Sequence, residues 1–155
     1  MTYDALARGA NGLFYFAFDA GFWKIREHPA VWDGLRRVVA EVNERLPLFR
    51  AEQLWWPREL KFADPARRFN AALQSSITVR LLRVRGGNAV VPAGDYILAV
   101  NTTEQAHTLG FTLPPENAKA DAVAVLGEAR SLAPAAGWLT DEFAPLAAHV
   151  YGPLR

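Results

Sequence analysis

The chain has 155 residues, of which 51% are apolar and 12% aromatic. That suffices for one ordinary domain or two small ones with a buried core, and it excludes a disordered chain. A net charge of +1 gives no electrostatic ground for binding nucleic acid or an anionic membrane, and neither is expected as a partner.

There is no cysteine, so disulfides, thiolate metal sites and a cysteine nucleophile are excluded; no compartment follows from that absence. His28, His107 and His149 lie far apart without ligand spacing, and no metal or other cofactor is expected. The N-terminal Met1-Thr2-Tyr3-Asp4-Ala5 lacks the basic and apolar regions of a signal peptide. No stretch approaches the ~18–20 apolar residues of a membrane span.

Tyr3 to Arg8 reads as the end of a helix, stopped at Gly9-Ala10-Asn11-Gly12, because Gly and Asn tolerate the left-handed conformation that closes helices. The run Gly12-Leu13-Phe14-Tyr15-Phe16-Ala17-Phe18 has no charge or amide side chain. Such a run is expected to be a strand covered on both faces, as in a parallel sheet flanked by helices. Nothing before Gly12 supplies its neighbours, so a protein partner or a second copy of this chain is expected to cover Gly12–Phe18. Asp19 to Trp23 forms a loop beyond that strand's C-terminal end.

Pro29 opens the clearest helix. Val31, Trp32, Leu35, Val38, Val39, Val42 and Leu46 form one apolar stripe at helical spacing, which predicts a surface helix packed on a sheet. The opposite face pairs Asp33 with Arg37 and Glu41 with Arg45 at i,i+4, and Pro47 is expected to end the helix after Leu46.

Leu54, Trp55, Trp56 and the segment from Phe62 to Phe69 read as a connector containing Pro57 and Pro65. Strand signals follow at Ile77–Val84, Ala89–Val91, Tyr96–Asn101, His107–Leu113, Ala122–Leu126, Ala129–Leu132 and His149–Tyr151, separated by turns such as Arg85-Gly86-Gly87-Asn88. Short strands between Gly/Pro turns predict an antiparallel sandwich. The expected fold is therefore α+β. A helix–strand–helix segment over residues 1–48 precedes a β-sandwich over 49–155, with the boundary within 47–76.

The sequence Tyr3-Asp4-Ala5-Leu6-Ala7-Arg8-Gly9-Ala10-Asn11-Gly12-Leu13-Phe14-Tyr15-Phe16 resembles the passage from helix seven into the last strand of a (β/α)8-barrel glycoside hydrolase. The similarity is to retaining, β-galactosidase-like enzymes. The resemblance makes Pro29–Leu46 the eighth barrel helix, ending in Asn43-Glu44-Arg45-Leu46, and makes Phe49–Arg155 the small sandwich that follows such barrels. Phe143 to Tyr151 is similar to the closing strand of those modules. A whole barrel takes ~250 residues. The family's catalytic carboxylates, about 5 Å apart in retaining enzymes, lie on strands four and seven, which this chain does not contain. No catalytic residue carries over, and the chain alone is not expected to hydrolyse sugars.

The candidate binding residues are Asp19, Phe22, Trp23, Trp55 and Trp56. By the resemblance, Asp19, Phe22 and Trp23 sit at the rim of a sugar pocket. The competing reading has Asp19 capping a turn and Trp23 packing under the helix. Trp55 and Trp56 are adjacent, so on an extended backbone only one indole can face a ligand while the other packs inward. Asn101-Thr102-Thr103 matches a glycosylation sequon, but the pattern is short, no secretion signal accompanies it, and a turn at a strand end explains it fully. The expected function is a non-catalytic C-terminal portion of a glycoside-hydrolase-like protein that supports the barrel and contacts carbohydrate. The alternative is a free-standing carbohydrate-binding or structural sandwich.

Overall fold

The structure is a computed structural model that describes residues 2–10, 12–15, 19, 21–63 and 76–154. In chain order they form α1 (Thr2–Ala7), a single 3-10 turn (Ile25–Glu27), α2 (Pro29–Glu44) and α3 (Leu46–Phe49). The strands are β1 (Glu52–Leu54), β2 (Leu60–Phe62), β3 (Ile77–Val84), β4 (Gly94–Asn101), β5 (His107–Thr112), β6 (Val123–Ala124), β7 (Ser131–Leu132), β8 (Trp138–Phe143) and β9 (Ala148–Leu154). The fold is α+β, with helices first and antiparallel sheets after. No helix among the described residues is long and apolar enough to cross a membrane.

Two antiparallel sheets, ordered β1-β3-β4-β9 and β2-β5-β8, face each other, and β6-β7 forms a small hairpin. Between them lie Phe62, Ile77, Val79, Leu81, Ile97, Ala99, Leu109, Phe111, Leu139, Phe143 and Tyr151, all buried. These positions alternate along each strand, which is how a sandwich fills its core. The first sheet is also covered on its other face. Leu82, Val84, Tyr96, Leu98, Val100 and Val150 pack there with Ala7 of α1 and Leu48 of α3. In consequence Tyr96–Val100 is buried without interruption.

Helix α1 is closed by a Schellman arrangement. Gly9, at φ 93°, donates its N–H to Leu6 O at 3.0 Å, and Ala10 donates to Ala5 O at 3.0 Å. Two side chains of β3 fix the helix to the sheet: Arg80 Nε donates to Ala7 O at 3.2 Å and Thr78 Oγ1 to Asp4 Oδ1 at 3.3 Å.

Several expectations change. Gly12–Tyr15 carries no strand pairing, Phe14 is fully exposed and Tyr15 half so; Phe16–Phe18 lie outside the described residues. A strand exists through its neighbour's N–H and C=O groups, and among the described residues nothing pairs with Gly12–Tyr15. The Tyr15 hydroxyl instead meets Thr2 Oγ1 at 2.9 Å. The long helix stops at Glu44, and Pro47 sits in the first turn of α3, where its missing N–H costs nothing. Helix α2 does not pack on a sheet, for it has no buried residue. Ala89–Val91 is not a strand. Asn88 Oδ1 accepts from the N–H groups of Val90 and Val91 at 3.0 and 2.7 Å, turning the chain there. The connector instead holds β1 and β2, and β8 lies where no strand was expected.

Candidate functional site

The five residues singled out from the sequence do not converge. Asp19 is exposed, accepts from Gly21 N–H at 3.2 Å and bridges to Lys24, which is the turn-capping role. Phe22 projects into solvent. Trp23 stacks on His28, with ring centres 5.1 Å apart and planes 13° from parallel, so one indole face is occupied. Trp56 is buried in the sandwich core and its Nε1 donates to Thr112 O at 3.1 Å; this removes it as a ligand contact. Trp55 is 81% exposed, as the adjacent-indole argument requires. The shelf around it is lined only by Trp55 to Leu60, one short segment.

Asn101 is 1% exposed. Its Nδ2 donates to Gln105 O and Ala144 O at 2.7 and 2.9 Å, and its Oδ1 accepts from Thr103 N–H at 3.0 Å. That amide is committed to the turn, so the sequon is a structural feature.

A groove of about 690 Å³ runs between α1, Gly12–Tyr15 and α2, with Leu6, Leu13, Tyr15, Val39, Val42 and Phe49 among its walls. Its base is held by a polar clasp. Tyr3 Oη donates to Glu41 Oε1 at 2.7 Å and accepts from Arg45 Nη1 at 3.2 Å, while Arg45 pairs with Glu41 at 2.8 Å. Burial, with the Glu41 carboxylate beside it, pushes the Tyr3 phenol well above its ordinary range, so it stays protonated. The Arg45 guanidinium also lies against Gly127, in the space a β-carbon would fill.

A second polar cluster was missed in the sequence. Arg130 makes a bidentate pair with Asp141 at 2.7 and 2.8 Å, and its Nε donates to Glu128 at 2.7 Å. Tyr151 Oη donates to Asp141 Oδ2 at 2.8 Å, and His149 Nδ1 meets Glu128 Oε1 at 2.6 Å. Burial alone would raise the Asp141 carboxyl, but Arg130, Tyr151 and the Glu142 N–H outweigh it and hold it below the usual range. Glu128 is likewise lowered, with His149 and Arg130 overcoming burial. Two carboxylates both held ionised supply no general acid, so this pair lacks the split that glycoside hydrolysis needs. The cluster is a clamp joining the β6–β7 hairpin to β8 and β9.

The outer face of the β2-β5-β8 sheet is open and polar. Its register places Trp138 beside Thr112, Gly110 between Thr140 and Lys61, and Glu142 beside Thr108. The signal for this face was the alternation of β8, whose Trp138, Thr140 and Glu142 are outward while Leu139, Asp141 and Phe143 are buried. No group of three metal-ligating side chains occurs among the described residues. No protein-family model matches the chain, and no curated protein or solved structure matches it.

Proposed function

We propose that this chain is the non-catalytic C-terminal portion of a glycoside-hydrolase-like protein, in which the sandwich buttresses a barrel and contacts carbohydrate. The observation that carries the reading is α2. This helix has 16 residues and an apolar stripe, yet no buried residue, and Val31 and Val39 are 53% and 39% exposed. Amphipathic helices draw most of their stability from packing that stripe. A helix that closes a barrel has such a stripe, and the neighbouring groove with exposed Phe14 continues the same surface. The resemblance of Tyr3–Phe16 to the end of a barrel agrees with that placement. The missing cover is the rest of the barrel, on the same or another polypeptide.

Light scattering with an apolar fluorescent dye tests the reading on the whole chain. Dye binding or self-association is expected, reduced in the Val31→Ser/Val39→Ser double variant. A monodisperse monomer that binds no dye would overturn it.

A further inference from the structure

We propose that the outer face of the β2-β5-β8 sheet is a sugar subsite, where one pyranose unit of a β-linked oligosaccharide stacks on Trp138 with its hydroxyls toward Lys61 and Thr140. The inference rests on the carbohydrate part of the proposed function and gives that contact a location. A cavity of about 280 Å³ lies here, lined by Lys61, Ala63, Gly110, Ala135, Trp138 and Thr140. That is just under the ~300–1,000 Å³ of ordinary ligand pockets, which suits a single ring better than a larger molecule.

The floor of the cavity is Gly110. A β-carbon there would lie 3.1 Å from Thr140 Oγ1 and 3.4 Å from Trp138 Cε3. Its backbone lies outside the left-handed region, so conformation does not demand glycine. What glycine supplies is room beside the indole. Ala63 and Ala135 keep the walls equally low.

Two polar groups face this space with their hydrogen-bonding capacity unused. Among the described residues, the Thr140 hydroxyl has no hydrogen-bond partner and the Lys61 ammonium has no carboxylate partner. Lys61 Nζ stands 5.9 Å from the Trp138 ring centre, near the ~6 Å limit of a cation–π contact. Thr112, by contrast, is spent: its Oγ1 accepts from Glu59 N–H at 2.9 Å.

An aromatic ring with an ammonium over it, 5.9 Å from its centre, and a hydroxyl at its edge recognises a ligand with a flat apolar face and a polar rim, which takes the remaining face of the indole. A pyranose ring has that shape, with C–H groups on its face and hydroxyls around its rim. The other indoles lack such a setting. Trp23 has one face on His28, Trp56 is in the core, and the shelf at Trp55 is lined by the single segment Trp55 to Leu60. The subsite is instead built from three paired strands, which hold its groups rigidly.

Isothermal titration calorimetry of the whole chain with cellopentaose, laminaripentaose, xylopentaose and β-1,4-galactotetraose tests this. Binding of at least one is expected. Trp138→Ala should weaken it roughly tenfold or more, and Thr140→Val or Lys61→Met about threefold each. Gly110→Ala leaves the indole in place and fills the floor, so it should also lose binding while keeping the native circular dichroism spectrum; Trp55→Ala should bind like the parent. Unchanged affinity in Trp138→Ala and Gly110→Ala, with loss in Trp55→Ala, would overturn the subsite and leave carbohydrate binding standing. No heat with any of these sugars would also overturn the subsite, while the dye and scattering results judge the barrel reading separately.

Discussion

Helices α1 and α2 come from the same end of the chain, and both are amphipathic, yet they meet opposite fates. The short α1 places Ala7 against the sheet, where Arg80 and Thr78 hold it by hydrogen bonds. The longer α2 has an apolar stripe of which Trp32, Leu35, Val38 and Val42 are half-buried and none is fully buried. Periodicity thus tells which face of a helix wants cover, and not what supplies it. Helix α1 is held by specific side-chain bonds from β3, whereas α2 is tied to the rest of the fold at its C-terminal end, through the clasp of Glu41 and Arg45 with Tyr3 and the Asn88 Nδ2 bond to Glu44 O at 2.9 Å. The contrast separates a covered apolar face from an uncovered one.

The largest break in that comparison comes from the finished side. Phe111→Ala removes a fully buried ring between the sheets and should cost about 3–5 kcal/mol in urea unfolding followed by circular dichroism. A loss under about 1 kcal/mol would mean that the sandwich core is not the stabilising centre described.

Tyr151→Phe is the next step down. It removes one donor from the buried Asp141 carboxylate while Arg130 and the Glu142 N–H remain, and should cost about 1–2 kcal/mol. The sign of its pH dependence follows from the lowered carboxyls of Asp141 and Glu128. Their stabilisation is complete above the unfolded carboxyl values near 4 and is lost as pH falls through the lower folded values. The parent should therefore weaken on acidification below about pH 4, and Tyr151→Phe should show a shallower acid slope, because its Asp141 lies closer to the unfolded value. Identical slopes would remove Tyr151 from the clamp.

The same contrast explains which parts of the fold were legible. β3 announced itself because Ile77, Val79 and Leu81 alternate with Thr78 and Arg80, and β4 because Tyr96–Val100 is an unbroken apolar run after a Gly/Pro turn. β8 was hidden because one inward position is Asp141, an acid tolerated only through Arg130 and Tyr151, which are 11 and 10 residues away in sequence. β1 and β2 have three residues each, too few to show a period. An unbroken apolar run implies cover on both faces; of Gly12–Phe18 only Gly12–Tyr15 lies within the described residues, and nothing pairs with it there. Tyr96–Val100 is a run that satisfies it, in an antiparallel sheet with a second sheet on one side and α1 and α3 on the other. Among the site residues, the split between Trp55 and Trp56 was legible from adjacency alone. Trp138 was not, since its setting needs Gly110 and Lys61 from two other strands.

The smallest expected effect sharpens the contrast most. Val31→Ser and Val39→Ser lie on the exposed stripe of α2. If that stripe is uncovered in the isolated chain, each should change stability by no more than about 0.5 kcal/mol, against several for a core residue. Hydrogen exchange supplies the second reading: α2 should open at far lower free energy than β3 and β4, with little change on substitution. On the proposed function, addition of a barrel that covers this stripe should reverse this. The same two serines would then disrupt a buried contact and cost about 1–3 kcal/mol in the assembled protein. A cost of that size in the isolated chain would instead mean that α2 already has its partner, and the contrast with α1 would collapse.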